Sequence, residues 1–291
     1  MKPIYFRIPK TTSTSIRVQV DRQPYLYDTY HFHPEMQLMV ILEGEGTRFV
    51  GETMDSFAPG DVYLLGANLP HMFRCAPTYY LADSGKMAHS VQVYFKPETF
   101  GEGFLHLPEA GAVLEVLQAA AGGLAVHGPP RNQVADLLRE MPQQADFVQV
   151  LRLFEALHHI AHAKDLRPLS HLPVRQAPRE ADSKRINAVF NLVLTHYQRL
   201  ITLEEAAGVA NMTTNAFCRF FKQRTRKTFS RFLNEVRIGY AARMLTTSDR
   251  PIADIAFSCG FNNLSSFNRQ FKAIKELTPS NFRKQSRRLQ S

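Results

Sequence analysis

One helix-like segment of this 291-residue chain is written twice, at an offset of fifty residues. Residues 217–233 read FCRFFKQRTRKTFSRFL, and residues 267–283 read FNRQFKAIKELTPSNFR. The shared positions are Phe217, Arg219, Phe221, Lys222, Thr228, Ser230 and Phe232 in the first copy and Phe267, Arg269, Phe271, Lys272, Thr278, Ser280 and Phe282 in the second. A fold that contains this repeat must present the same arginine and lysine on two similar helices.

Each copy predicts an amphipathic helix with an aromatic side and a polar side. At about 100° per residue, Phe220 and Phe221 fall beside Phe217, and polar residues fall roughly opposite. The apolar stripe of the second copy holds Leu264, Phe267, Phe271 and Ile274. The polar faces are Asn215, Cys218, Arg219 and Lys222 in the first copy and Ser265, Asn268, Arg269 and Lys272 in the second. This pattern is typical of a recognition helix anchored to a small core.

A shorter helical segment and a tight turn precede each copy, in TLEEAAGVANMTT (202–214) and PIADIAFSCGFNN (251–263). Thr202 and Glu205 have the spacing of a capping box, and Gly260 suits a turn between crossing helices. We therefore predict two helix-turn-helix motifs in one all-α domain. A generic helical domain with a phenylalanine core would explain the apolar stripe, but it would leave the repeated polar face unexplained.

The charge of the chain is divided unevenly along its length. Residues 184–291 hold 19 Lys and Arg against 6 Asp and Glu, whereas residues 1–183 hold 16 against 20. This asymmetry indicates a polyanion-binding C-terminal module next to a near-neutral N-terminal one. Charge alone also leaves open a basic surface that only confers solubility.

Residues 184–286 resemble the DNA-binding domain of the AraC/XylS family of bacterial transcription regulators. The resemblance is carried by PIADIAFSCGFNNLSSFNRQFKAIKELTPSNFRK (251–284) and by the linking segment FLNEVRIGYAARML (232–245). It implies that both recognition helices enter successive major-groove segments, about 34 Å apart on one face of the duplex.

Carried over by position, the resemblance gives each polar face a role. Asn215, Cys218 and Arg219, and likewise Ser265, Asn268 and Arg269, are expected to face base edges, where Arg suits guanine and Asn suits adenine. Cys218 departs from this pattern because a thiol hydrogen-bonds weakly. The expected phosphate contacts are Lys222, Arg224, Arg226, Lys227, Lys272 and Lys275.

The N-terminal part has a different pattern, with short β-type runs between turn signals over residues 16–95. Helical patterns follow at 110–122, 131–141 and 146–163, and the Pro-rich stretch 165–183 has no sustained period and is interpreted as a linker. The fold class we predict is α+β and multidomain.

Histidines mark two of the N-terminal runs, in YHFHPEMQLMVILEGEG (30–46) and APGDVYLLGANLPHMF (58–73). These runs resemble the two half-motifs of a cupin, a small β-barrel, over residues 20–95. In metal-binding cupins two histidines, a glutamate and a later histidine hold one ion, but Gln37 stands at the glutamate position. We expect a metal-free effector pocket that includes His31, His33, Gln37, Tyr63 and His71; a bound metal or purely structural histidines are the alternatives.

These patterns together predict a cupin-like effector domain (1–108), a helical dimerisation segment (109–164), a linker (165–183) and a double helix-turn-helix domain (184–291). The function predicted is sequence-specific transcription regulation in response to a small-molecule effector, with a sugar as one option. The expected partners are double-stranded DNA, the effector and a second copy in a homodimer, and the resemblance leaves RNA polymerase open as a further partner.

A rival interpretation is a metal-dependent cupin enzyme with a basic helical appendage, but we expect no enzymatic activity and no cofactor. No run of about 18 apolar residues and no signal-peptide pattern occurs, so a cytoplasmic protein is expected. Cys75, Cys218 and Cys259 are far apart in sequence and predict reduced thiols rather than disulfides or a zinc site.

Overall fold

The computed structural model describes residues 4–5, 14–81, 83–101, 103–170 and 180–288. The chain divides into two compact units, residues 2–180 and residues 181–291.

The N-terminal unit is built on two sheets. The strands are β1 (Ile4–Tyr5), β2 (Ile16–Gln23), β3 (His31–Phe32), β4 (Met36–Glu43), β5 (Gly46–Val50), β6 (Thr53–Phe57), β7 (Val62–Leu65), β8 (His71–Cys75), β9 (Ala88–Phe95), β10 (Leu124–Val126) and β11 (Leu166–Pro168). One sheet has the order β1-β3-β8-β5-β6, and the other has the order β11-β10-β7-β4-β9-β2. Among the described strands, every pair is antiparallel apart from β1 with β3. The strands predicted between residues 16 and 95 are therefore present.

Two apolar clusters organise this unit. One contains alternate residues of both sheets, among them Met39, Tyr63, Leu65, Val50 and Phe73. The intervening residues of the larger sheet, such as Leu38, Val40 and Leu64, pack in a second cluster with three helices. These helices are α1 (Gly111–Ala119), α2 (Pro129–Glu140) and α3 (Asp146–Ala161). Because side chains alternate along a strand, the larger sheet has one face toward the helices and one toward the smaller sheet.

The predicted linker begins with a strand. Residues 166–168 form β11, which pairs with β10 at the edge of the larger sheet, and Leu169 and Ser170 are buried. Pro168 is tolerated there because an edge strand does not need every backbone donor. The interpretation of residues 165–170 as linker is therefore wrong, and residues 171–179 lie outside the described part of the chain.

The C-terminal unit is helical, as predicted. Its helices are α4 (Glu180–His196), α5 (Leu203–Val209), α6 (Thr214–Thr225), α7 (Phe229–Thr247), α8 (Ile252–Ser258), α9 (Leu264–Lys275) and α10 (Pro279–Arg288). Across the described ranges of the chain, every helix is too short or too polar to span a bilayer.

The turns that follow α5 and α8 have the same hydrogen bonds. After α5, Met212 N donates to Ala207 O and Asn211 N donates to Gly208 O, at 3.0 and 2.9 Å. After α8, Phe261 N donates to Ala256 O and Gly260 N donates to Phe257 O, at 3.2 and 3.0 Å. These are Schellman motifs, and each needs a left-handed residue, which Asn211 (φ 52°) and Gly260 (φ 85°) supply.

The long helix α7 connects the two helix pairs, and a buried arginine fastens it to its surroundings. Arg237 donates from Nε to Tyr197 O and from Nη2 to Arg199 O, both at 2.8 Å. Its guanidinium also lies 5.8 Å from the ring centroid of Phe261, in the turn after α8. A Cβ on Gly260 would come within 2.4 Å of Tyr197 O, so a larger residue does not fit at this junction.

Candidate nucleic-acid interface and candidate ligand pockets

The first repeated helix, α6, places its aromatic residues and its polar residues on opposite sides. Phe217, Phe220 and Phe221 are buried. The four predicted DNA-contacting residues, Asn215, Cys218, Arg219 and Lys222, are all exposed. Arg and Lys in the last turn are also favourable for the helix, because they face its negative end.

The second repeated helix, α9, has the same arrangement. Phe267 and Phe271 are fully buried, whereas Ser265, Asn268, Arg269 and Lys272 are exposed. Asn263 caps this helix by accepting from Ser266 N at 2.8 Å. Leu264 is 38% exposed and does not join the apolar stripe as predicted, because it is the first residue of the helix.

Both repeated helices end and continue in the same way. Arg226 and Glu276, fifty residues apart, are left-handed at φ 58° and 59°. Thr228 and Thr278 then accept from the backbone N of Arg231 and Asn281, each at 3.3 Å. The sequence repeat is therefore a repeat of backbone structure as well.

Two contacts differ from the sequence interpretation. Lys227, predicted to contact phosphate, donates instead to the buried carboxylate of Glu235. In the capping box, Thr202 accepts from Glu205 N at 3.1 Å, but the Glu205 carboxylate accepts from Arg199 Nη1 at 2.8 Å. Only half of the reciprocal pair forms, because a nearby arginine competes for the carboxylate.

In the N-terminal unit, three predicted pocket histidines come together. His31, His33 and His71 are 7%, 1% and 1% exposed, and their candidate ligand nitrogens all lie within 4.8 Å of one another. β3 pairs with β8 through His31 and His71, which places these two rings side by side. Residues from two separate sequence runs therefore form one cluster.

Backbone carbonyls fix which nitrogen of each ring carries the proton. Nδ1 of His31, His33 and His71 lies 2.7, 2.9 and 2.8 Å from the carbonyl oxygens of Thr29, Glu35 and Leu69. Since a carbonyl oxygen only accepts, each Nδ1 must donate, and each Nε2 of a neutral ring is left with a lone pair.

Gln37 adds an oxygen to this cluster. Gln92 donates from Nε2 to the Asp21 carboxylate at 2.7 Å, and Gln37 donates from Nε2 to Gln92 Oε1 at 2.7 Å. The carboxylate thereby orients both amides and leaves Gln37 Oε1 facing His33 Nε2 at 3.1 Å. Both ring nitrogens of His33 thus face acceptor oxygens. A neutral ring has one N–H and can donate to only one of them.

Burial keeps protons off these rings. It lowers the pKa of His31 to about 3, with the neighbouring His33 as a second cause. Burial likewise lowers the pKa of His33, and it lowers that of His71 well below its usual value. Among the described residues, His71 Nε2 is a buried nitrogen that has no hydrogen-bond partner.

This donor set fits a divalent cation. Three imidazole nitrogens and one amide oxygen face one another, and a metal ion would satisfy the lone pairs that no proton satisfies. Imidazole ligands suit zinc, iron, nickel and copper, while an amide oxygen is a weaker ligand than the carboxylate it replaces.

The fifth predicted pocket residue lies elsewhere. His31, Gln37 and His71 line a cavity of about 40 Å³, whereas Tyr63 lines a different cavity of about 400 Å³. The small cavity also contains Asp21, Gln92 and Tyr94, which the sequence interpretation missed. Their inward positions on β2 and β9 alternate with apolar residues, and this alternation was the sequence signal that could have identified them.

The comparisons with known proteins agree with the helical architecture. Residues 206–285 match the family model described as a helix-turn-helix domain. The chain is 22% identical over 256 residues to the probable transcriptional regulator LumQ of Photobacterium leiognathi, with 87% of this chain and 91% of LumQ covered. It is 23% identical over 286 residues to the transcriptional activator RhaS of Pectobacterium carotovorum, with 94% and 95% covered.

A solved structure of ToxT from Vibrio cholerae O395 is 14% identical over 92% of this chain and 97% of ToxT, with a TM-score of 0.37.

These findings define a class: a transcription regulator with a helix-turn-helix DNA-binding domain in its C-terminal unit. The resemblance carried by the repeated helix to AraC-type DNA-binding domains is confirmed over residues 206–285. Its relatives are regulators and not enzymes, so the rival interpretation as an enzyme is not supported.

Proposed function

We propose that the chain regulates transcription by reading two DNA sub-sites with two helix-turn-helix motifs, α5–α6 and α8–α9. One observation carries the proposal: α6 and α9 each expose four polar residues over a buried phenylalanine pair, at an offset of fifty residues. A core-only role would require the buried residues to repeat but not the exposed ones. Two similar exposed faces suit the repeated surface of a DNA groove.

The residues divide by what they contact. Arg219 and Arg269 are proposed to read guanine, and Asn215 and Asn268 to read adenine, since their paired groups match those base edges. Cys218 and Ser265 lie on the same faces, and Lys222 and Lys272 are proposed to contact phosphates, which fix position without reading sequence.

The N-terminal unit is proposed to be a cupin-like effector domain within residues 1–108, with His31, His33, Gln37, Tyr63 and His71 as pocket residues. Residues 109–164 would then dimerise. Support comes from α3, where Phe147, Val148 and Leu151 are 69%, 39% and 51% exposed. An effector that binds two arrangements of the dimer unequally would shift which half-sites are held together. RNA polymerase is a further proposed partner.

A second candidate concerns the histidine cluster, which is proposed as a metal site because one ligand nitrogen from each of the three histidines lies within 4.8 Å of the other two. A bound metal would supply a Lewis-acid centre for an oxygen of the effector. His31, His33, His71 and Gln37 would hold it, and Asp21 would orient Gln37 through Gln92. Elemental analysis of protein purified without chelator tests this candidate: a stoichiometric metal that is lost in His71→Ala supports it, and metal-free protein contradicts it.

Binding-site selection from random DNA tests the main proposal. The full chain should select two conserved sub-sites about 10 base pairs apart, centre to centre. Selection of a single sub-site would contradict reading by two motifs.

The division of labour between the units has its own test. Fragment 180–291 should bind the selected DNA as a monomer, and fragment 1–170 should dimerise. Sedimentation that shows the reverse would contradict the proposed dimerisation segment.

A further inference from the structure

A second cavity of about 400 Å³ lies in the N-terminal unit, apart from the histidine cluster. Phe73 stands between them, with its ring centroid 5.4 Å from that of Tyr63 and 6.5 Å from that of His71. This volume falls in the usual range for sites that hold small molecules, about 300–1,000 Å³. The lining combines aromatic and aliphatic side chains with a few charged ones.

Strand register brings the lining residues together. On the smaller sheet, Arg48 of β5 stands opposite Phe73 of β8 and Asp55 of β6. On the larger sheet, Tyr63 of β7 stands opposite Ala125 of β10, which in turn stands opposite Arg167 of β11. The guanidinium of Arg48 reaches across to lie 5.4 Å from the Tyr63 ring centroid. One cavity therefore has lining from both sheets.

Arg48 is a largely but not fully buried cation with spare hydrogen-bonding capacity. Its side chain is 11% exposed, and Asp55, itself 50% exposed, approaches Nη2 only to 3.5 Å. Within the described residues, Arg48 Nε is buried and has no acceptor. A guanidinium offers a planar fork of donors that matches the two oxygens of a carboxylate. The cavity thus presents guanidinium donors that the Asp55 carboxylate satisfies only in part.

The other charged groups of the lining are already engaged. Asp61 accepts from Tyr63 OH at 2.7 Å and from Ala58 N at 2.9 Å. Arg167 donates to the two Asp165 oxygens at 3.0 and 3.1 Å. His127 has a lowered pKa because of burial and, next, the nearby Arg167. The formal charges of the lining side chains sum to zero. The position of Arg48, and not the net charge of the cavity, therefore decides which ligands bind.

We propose that this cavity binds a small organic carboxylate, whose oxygens pair with the Arg48 guanidinium and whose apolar part contacts Phe57, Tyr63 and Leu169. This inference rests on the proposed function of the N-terminal unit as an effector domain, and it names the chemical class of that effector. It also moves the site from the histidine cluster to the Arg48 side of the same unit.

Calorimetric titration of the full chain tests the inference. The probes are butyrate, hexanoate and cyclohexanecarboxylate, each paired with its neutral amide. We expect at least one carboxylate to bind and its amide to bind at least tenfold more weakly, a difference of about 1.4 kcal/mol. Arg48→Gln should weaken carboxylate binding at least tenfold. Asp55→Asn should strengthen it, because a competing anion is removed, and Arg167→Gln should leave it nearly unchanged.

Three results would overturn the inference. They are no binding of any probe up to about 10 mM, where millimolar sites fill, equal binding of the amides, and unchanged carboxylate binding in Arg48→Gln. Tyrosine-fluorescence melting confirms that each variant folds; if Arg48→Gln does not, Arg48→Lys keeps the charge without the fork and should still bind more weakly. DNA selection by the full chain is measured separately, so failure of the carboxylate site leaves the proposed DNA reading standing.

Discussion

The two units keep their polar residues in opposite places. In the C-terminal unit the core is aromatic and the eight repeated polar residues are exposed. In the N-terminal unit, His33, Gln37, His71 and Gln92 are buried. Hydrogen bonds run from Gln37 through Gln92 to Asp21, whereas His71 Nε2 has no partner among the described residues. The exposed set costs the fold little, whereas a buried set is favourable only while its protonation state is correct. The units should therefore respond differently to pH, to core changes and to surface changes.

Acidification should produce the largest difference in stability between the two units. A neutral buried histidine stabilises the fold above its unfolded pKa of about 6.5, and this contribution is lost as pH falls toward the folded value, which is about 3 for His31. Between pH 8 and 5 the loss from His31 alone should be about 2 kcal/mol. His33 and His71, whose pKa values burial also lowers, should add to this loss in the same direction. Eight of the ten tyrosines precede residue 95, so tyrosine-fluorescence melting in EDTA reports on the N-terminal unit.

The control for the pH measurement is His158→Gln, since His158 is exposed on α3. This variant should keep the pH dependence of the parent chain. A melting temperature of the N-terminal transition that stays constant from pH 8 to 5 would show that the buried histidines are not neutral.

A core truncation in the C-terminal unit should have the next largest effect. Phe267 is fully buried between Phe261 and Phe271, so Phe267→Ala should lower the free energy of unfolding by about 3–5 kcal/mol. Circular dichroism of fragment 180–291 in urea measures this. Phe257, which is 51% exposed, is the matched control, and Phe257→Ala should change stability by less than about 0.5 kcal/mol. Similar losses for both variants would contradict the assigned core.

Removal of a base-reading arginine should cost less and leave the fold intact. Arg269→Ala should weaken binding to the selected DNA by about 1–3 kcal/mol and relax preference in one sub-site. Arg219→Ala should do the same in the other sub-site, and the two losses should add because the side chains share no partner. Relaxation at the same base pair in both variants, measured by binding-site selection, would rule out reading of two grooves.

Loss of a phosphate contact should have the smallest effect. Lys272→Ala should weaken binding to all sequences about equally and reduce the slope of log K against log salt by about one unit. Lys227→Ala is a useful comparison. Because the Lys227 ammonium already pairs with the Glu235 carboxylate, this variant should leave the salt slope unchanged. A changed base preference in Lys272→Ala would mean that this lysine reads sequence.

Sequence periodicity predicts exposed faces better than buried networks. The Phe217 and Phe267 helices were predictable because a 3.6-residue period separates core from surface within one short segment. The sequence identified the members of the histidine cluster but not their arrangement, because that arrangement depends on the register between β3 and β8. Arg48 was missed because an inward arginine on a strand gives no signal apart from alternation, and its burial depends on strands far away in sequence.

The start of the linker was misplaced for a related reason. Leu166, Arg167 and Pro168 have neither the alternation nor the length of a typical strand, and they form one only because the β10 edge is available. Such an edge is a property of tertiary structure, and local strand propensity contains no information about it.

The Arg237 junction has a consequence for the layout of a DNA target. Arg237 joins the end of α4 to the central helix and to the turn after α8, and Gly260 leaves no free space there. Two helix pairs fixed on one helix in this way cannot rotate to follow a shifted target. A protein that reads two sub-sites with them would tolerate substitutions within a sub-site better than a change in the number of base pairs between sub-sites. About five inserted base pairs would turn the second sub-site to the opposite face of the duplex, out of reach.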